Sequence, residues 1–277
     1  MSSIESRAIR ISPAKSLAFP NLKELWRWRE LALFLAWRDI RVRYKQATLG
    51  IAWAILSPLA LMAVFTLFFG VIFSTPSEDV PRPVFIFAGV LTWLLFSEVF
   101  SSASASLLKD RHIFEKLYFP RLLVPLSSAA SGLTDFGFGL VALLVMMAIY
   151  RVPLFGSIVL VAAFGLLAVF LALSAGIWFS ALNLQFTDFR HITPLFIQLW
   201  FFATPIFYPA SLIPEAWQSL YRLNPMVGVV ESVRWAIFHG QPPEFGPLLL
   251  SMVPFALIMA GGLLYFGYFE STFAENL

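Results

Sequence analysis

The sequence predicts an all-α integral membrane protein: six transmembrane helices, an amphipathic helix before the first of them, and short re-entrant helices before the last. Three observations carry this. The 277 residues are 59% hydrophobic with a mean hydropathy of +0.80, well above the apolar share of soluble domains. Ile51–Phe73 is an uncharged run of 23 residues, enough to cross a hydrocarbon core of about 30 Å as a helix. And Arg38, Arg41, Arg43 and Lys45 stand just before that run, where cytoplasmic Lys and Arg fix the direction of insertion.

Residues 1–49 read as a cytoplasmic tail followed by an interface helix. Leu22, Trp26, Leu33, Trp37, Ile40 and Tyr44 fall on one stripe at 100° per residue, and Arg27, Arg38, Arg41 and Lys45 on another. The apolar stripe fits the acyl boundary, and the basic one fits headgroups or a cytoplasmic partner. Residues 50–277 form the membrane domain. After Ile51–Phe73 come spans at Val84–Leu108, about Leu122–Tyr150, Ser157–Leu182, one starting near Thr193 and broken by Pro205 and Pro209, and about Pro247–Phe269. Between the last two, Tyr208–Gly246 mixes apolar residues with Glu215, Arg222, Glu231, Arg234, His239 and Glu244. That is too much charge for a full span, so short re-entrant helices at the outer face are expected.

This topology leaves both termini inside. Fifteen of the nineteen Lys and Arg then lie in inside segments and four outside, the asymmetry that insertion imposes. A net charge of +3 with basic residues gathered at membrane ends argues against a nucleic-acid partner. There are no cysteines, which excludes disulfides and thiolate chemistry. His112, His191 and His239 are scattered, so no metal site is expected. No phosphate-binding GxxxxGK[ST], HExxH or GxSxG occurs, so neither a nucleotide site nor a catalytic centre is expected on this chain.

Two acids, Glu98 and Asp135, fall near the middle of spans and read as two and unaccompanied. Carboxylates at that depth are costly unless protonated, paired or facing water. They are either functional or neutral groups hydrogen-bonded between helices, where SSASAS (101–106) and SSAASG (127–132) would supply small residues and hydroxyls. Aromatics reach 17%. Trp200, Phe201, Phe202, Phe207 and Tyr208 crowd the proline-broken span, either as a surface for a glycan or as lipid-facing bulk.

Four phrases carry a resemblance: WRDIRVRYKQATLG (37–50) with Trp53 and Pro58, KLYFPRLLVP (116–125), TDFRHITPLFIQLWFFATPIFYP (187–209) and NPMVGVVESVR (224–234). Over about residues 30–269 the chain resembles the permease subunit of ABC-2 type polysaccharide exporters, whose members carry O-antigen, capsular polysaccharide or teichoic acid. The resemblance implies a homodimer of permeases in the inner membrane with two copies of a separate ATPase that holds the ATP and Mg, this chain binding no cofactor itself. It implies a coupling helix at about Lys109–Phe119, with Lys109, Arg111, Phe114, Lys116, Tyr118, Arg121, Arg38 and Arg41 meeting the ATPase. It implies outer gate helices at about Pro214–Leu223 and Met226–Phe238, with Asn224, Glu231 and Arg234 at the gate. A lipid-linked glycan would pass along Trp200, Phe201, Phe202, Phe207, Tyr208, Glu98 and Asp135. An exporter of drugs or lipids is the alternative within the superfamily, and a membrane-embedded acyl- or glycosyltransferase the alternative outside it.

Overall fold

The computed structural model describes residues 22–45, 50–72, 80–114, 119–153, 157–239 and 245–275, and every element in them is helical. In chain order these are α1 (Leu22–Arg27), α2 (Arg29–Lys45), α3 (Ala52–Ile72), α4 (Arg82–Lys109), α5 (Arg111–Phe114), α6 (Leu123–Ile149), α7 (Ser157–Gln185), α8 (Phe189–Phe202), a 3-10 turn (Ala210–Leu212), α9 (Glu215–Arg222), α10 (Pro225–Phe238) and α11 (Phe245–Glu275).

Helix α4 is the axis of the bundle. Phe87, Phe96, Phe100, Ala103 and Leu107 along it are all but inaccessible, because α6 and α7 cover most of its length and α3, α8 and α10 the remainder. Small residues let the backbones close up: a Cβ on Gly176 of α7 would stand 2.7 Å from that of Ala103. The serine runs contribute size rather than cross-helix bonds. Ser104 and Ser106 on α4, and Ser127, Ser128 and Ser131 on α6, turn their hydroxyls back to carbonyls three residues earlier in their own helix.

Helices α4, α6 and α7 are long and apolar enough to cross a membrane, while α3 and α11 hold shorter apolar stretches, Ala52–Phe68 and Ser251–Gly267. Helix α8 has only 14 residues and stops short of the prolines. Helices are present at the positions expected for Pro214–Leu223 and Met226–Phe238, as α9 and α10. Asn224 caps α10, its side chain accepting the amide of Met226 at 3.0 Å, with Pro225 at the first helical position. Helix α10 is buried along most of its length, so it belongs to the bundle rather than lying over it.

Helix α2 lies along α6. Leu35 is buried in a cluster with Phe119, Leu122, Leu123, Ile177 and Phe266, while Trp26, Leu33 and Trp37 are exposed. The exposed rings fit the interfacial reading of this helix. Tyr44, expected on the same stripe, instead turns into the bundle.

Candidate functional site

Three polar arrangements sit along α4, one at each end and one between. The first follows from where α4 stops: Lys109 is its last residue, and the chain turns at Asp110 into α5. Asp110 is buried, and Arg38 of α2 donates to it at 2.6 Å and to the neighbouring Asp39 at 2.9 Å, while Lys109 donates to Asp39 at 3.3 Å. Burial works to lower the Arg38 pKa, but the hydrogen bonds and fields of Asp110 and Asp39 outweigh it and hold the group above its ordinary value. Of the residues expected to meet an ATPase, Arg38 and Lys109 are therefore engaged within the chain. Arg41 and Arg111 are exposed and Arg121 is half-buried. Phe114 ends α5, and Lys116 and Tyr118 lie outside the described residues.

The middle arrangement overturns the expectation of two lone acids. Glu98 on α4 and Asp135 on α6 share one guanidinium, that of Arg43 in the last turn of α2. One nitrogen bonds Glu98 and the other lies 2.6 Å from Asp135. The Tyr44 hydroxyl donates to Asp135, its ring standing edge-on to Phe138, and Ser102 donates to Glu98 at 2.9 Å. Desolvation opposes the charge on Arg43, yet the bond to Glu98 and the fields of both carboxylates raise its pKa on balance. Desolvation and the bond to Asp135 raise that of Tyr44 as well. The four side chains border a cavity of about 320 Å³ whose other walls include Trp53, Ser57 and Pro58, a volume in the range of small-ligand sites.

The third arrangement, at the other end of α4, holds the chain where α8 breaks off. Arg234 of α10 is 6% exposed. It donates to the carbonyls of Pro205 at 2.8 Å, Ile206 at 2.7 Å and Tyr208 at 3.3 Å, with its guanidinium 3.7 Å from the centre of the Phe85 ring. Those are carbonyls that an irregular, proline-containing segment leaves without helical partners. Asn224 does the same for the start of the break: it donates to Ala203 O at 3.1 Å and to Thr204 Oγ1 at 3.2 Å, and accepts from Trp200 Nε1 at 2.9 Å. Glu231 lies half-buried one turn before Arg234.

This geometry redistributes the expected aromatic surface. Trp200 packs among Phe96, Phe196 and Phe255, Phe201 against Trp93, and Phe207 is buried and stacked on Phe65. Tyr208 shares a hydrogen bond with the hydroxyl of Tyr221. Only Phe202 of the five is widely exposed, at 65%, on the face that also carries Leu195 and Leu199. A helix turning 100° per residue cannot aim Trp200, Phe201 and Phe202 the same way, and bundle packing claims the first two.

A family model described as ABC-2 type transporter matches residues 30–238, a range that takes in all three arrangements. The chain belongs to the ABC-2 type transporter family. Among curated relatives, it is 31% identical over 266 residues to an O-antigen export system permease protein, RfbA, of Myxococcus xanthus, covering 92% of this chain and 98% of that one. It is 26% identical over 250 residues to an RfbA of Klebsiella pneumoniae, at 90% and 95% coverage, and 28% over 239 residues to the polysialic acid transport protein KpsM of Escherichia coli, at 84% and 91%. Within this transporter subunit, sequence reasoning missed Asp39, Arg43, Tyr44 and Asp110. The available signal was electrostatic: two acids inside spans call for a cation, and the interface helix holds the nearest supply.

Proposed function

We propose that this chain is the transmembrane subunit of an ATP-driven exporter that moves a lipid-linked polysaccharide out of the cytoplasm across the inner membrane. The observation that carries the reading is the near end-to-end match to proteins named for O-antigen export and polysialic acid transport. In this reading the chain spans the membrane six times with both termini inside. Two copies assemble with two copies of an ATPase, and ATP and Mg are bound there. The loop from Lys109 to Arg121 is where the ATPase pushes, Arg41, Arg111, Phe114, Lys116 and Tyr118 offering contacts while Arg38 and Lys109 anchor the loop to α2. Glu98 and Asp135 border the inner cavity, and Asn224, Glu231 and Arg234 set the position of the outer gate. Phe202, with Tyr208 beside the break, is the aromatic surface left for the polymer once Trp200, Phe201 and Phe207 are committed to packing.

The test is a deletion in the native host. Surface polysaccharide should disappear while lipid-linked polymer accumulates inside, and the plasmid-borne gene should reverse both. Normal surface polymer in the deletion strain would refute the reading. Native mass spectrometry of the complex in detergent addresses the assembly, with an active lone monomer as the outcome that excludes it.

A further inference from the structure

Helix α2 is fastened to the bundle at three points that do not lie on one line. Arg38 and Asp39 hold the inner end of α4 through Asp110 and Lys109. Arg43 holds Glu98, twelve residues further into α4 and so about 18 Å away along its axis. Arg43 and Tyr44 together hold Asp135 on a different helix, α6. Two anchors along α4 fix the position of α2 and its tilt, and the third, off that axis, stops it rolling. Leu35, three residues before Arg38, is buried in one cluster with Leu122 and Leu123 at the start of α6.

The middle anchors resist sliding for an electrostatic reason. One guanidinium serves two carboxylates, so a shift of α2 that withdraws Arg43 leaves two partly exposed acids facing each other without their shared counter-charge. Like charges at close range repel, so losing this cation costs more than parting an isolated surface pair.

We infer that Asp39, Arg43 and Tyr44 are positioning residues for energy coupling: they clamp α2 to α4 and α6 so that the three helices move as one rigid lever when the loop after α4 is pushed. The inference rests on the proposed function and specifies which surfaces stay together during the transport cycle. The opposite design, in which the interface helix slides across α4 to open the pathway, is sterically reasonable for an amphipathic helix and makes contrary predictions.

The chain contains no cysteine, so a tether can be introduced without background. In the full permease–ATPase complex, Asp39→Cys with Lys109→Cys would be bridged by a disulfide-forming bifunctional methanethiosulfonate, which reductant removes. The unbridged variant lacks the Asp39–Lys109 anchor and should export severalfold less than wild type, and bridging should restore export toward the wild-type level. Loss of export on bridging, restored by reductant, would show α2 sliding on α4 and overturn the inference. A second arm breaks the clamp. Arg43→Gln should lower export at least tenfold while the partner's ATP hydrolysis persists at matched protein level, Arg43→Lys should recover most of it, and Tyr44→Phe should give a milder loss of the same kind. Unchanged export in Arg43→Gln, or a proportional fall in export and hydrolysis, would also overturn it. Failure of the proposed function itself would be seen earlier, as a wild-type complex that does not move polymer when given ATP.

Discussion

Gly89→Ala is the sharpest single test of the arrangement around Arg234. A Cβ built on Gly89 would stand 2.5 Å from the carbonyl oxygen of Ile206 and 2.9 Å from Arg234 Nη2, the acceptor and the donor of the 2.7 Å bond that holds the break. Against the 3.4 Å at which ordinary contact begins, the shortfall at the oxygen is about 0.9 Å. A backbone carbonyl held on both sides cannot swing away as a side-chain tip would. Forcing one extra carbon into a closed site costs about 1–3 kcal/mol. Losing a hydrogen bond between helices in a membrane protein adds about 0.6–1.7 kcal/mol, so the substitution should destabilise by about 2–5 kcal/mol. The assay is the unfolding midpoint of the detergent-purified protein, run beside surface polysaccharide in cells. Gly137→Ala is the matched control. It is also a helical glycine, but nothing lies within 4 Å of its Cβ position, so it should be neutral or stabilising by up to about 1 kcal/mol. Equal unfolding midpoints and equal export for the two variants would refute the close approach of α4 to the break.

Trp200→Phe should cost about 1 kcal/mol through the lost bond to Asn224, and Trp200→Ala about 3–5 kcal/mol through the cavity left among Phe96, Phe196 and Phe255; unfolding midpoints check both. Phe202→Ala removes an exposed ring and should change stability by less than about 0.5 kcal/mol while shifting surface glycan toward shorter chains. A uniform fall across all lengths would assign that ring to folding. Phe114→Ala, in the helix that follows the α4 turn, should lower polymer exported per ATP consumed at normal permease abundance. Full coupling in that variant would reduce the loop to a connector.

Elements with a dense local signal were legible in the sequence. The apolar runs that became α4, α6 and α7 needed only length and hydropathy, and the helices at α9 and α10 were expected from the family resemblance rather than from the residues alone. What could not be read was pairing across distance. Arg43 meets Glu98 across 55 positions of sequence, and a stripe drawn on an isolated α2 gives no reason to turn Tyr44 inward and Trp37 outward, since both are amphipathic aromatics. Composition likewise showed that the fifth apolar stretch was rich in rings but not which face the bundle would take. That choice was made by Phe96 and Trp93 on α4, which claim Trp200 and Phe201. The prolines were read correctly as a break, yet the length of helix before them depends on Asn224 and Arg234 being there to receive the carbonyls.

The brevity of α8 also bears on the lipid around it. Fourteen helical residues rise about 21 Å, against about 30 Å of hydrocarbon in an ordinary bilayer. In the proposed six-span topology, the exposed residues Ile192, Leu195 and Leu199 below Phe202 would offer acyl chains a wall about 9 Å too low, and the backbone beyond it is irregular. Lipids beside a short wall tilt and compress to meet it, at a cost of fractions of a kcal/mol for each ångström of mismatch. In that topology the bilayer would be drawn thin along one flank of the subunit, and anything crossing on that side would have a narrower oily barrier to cross.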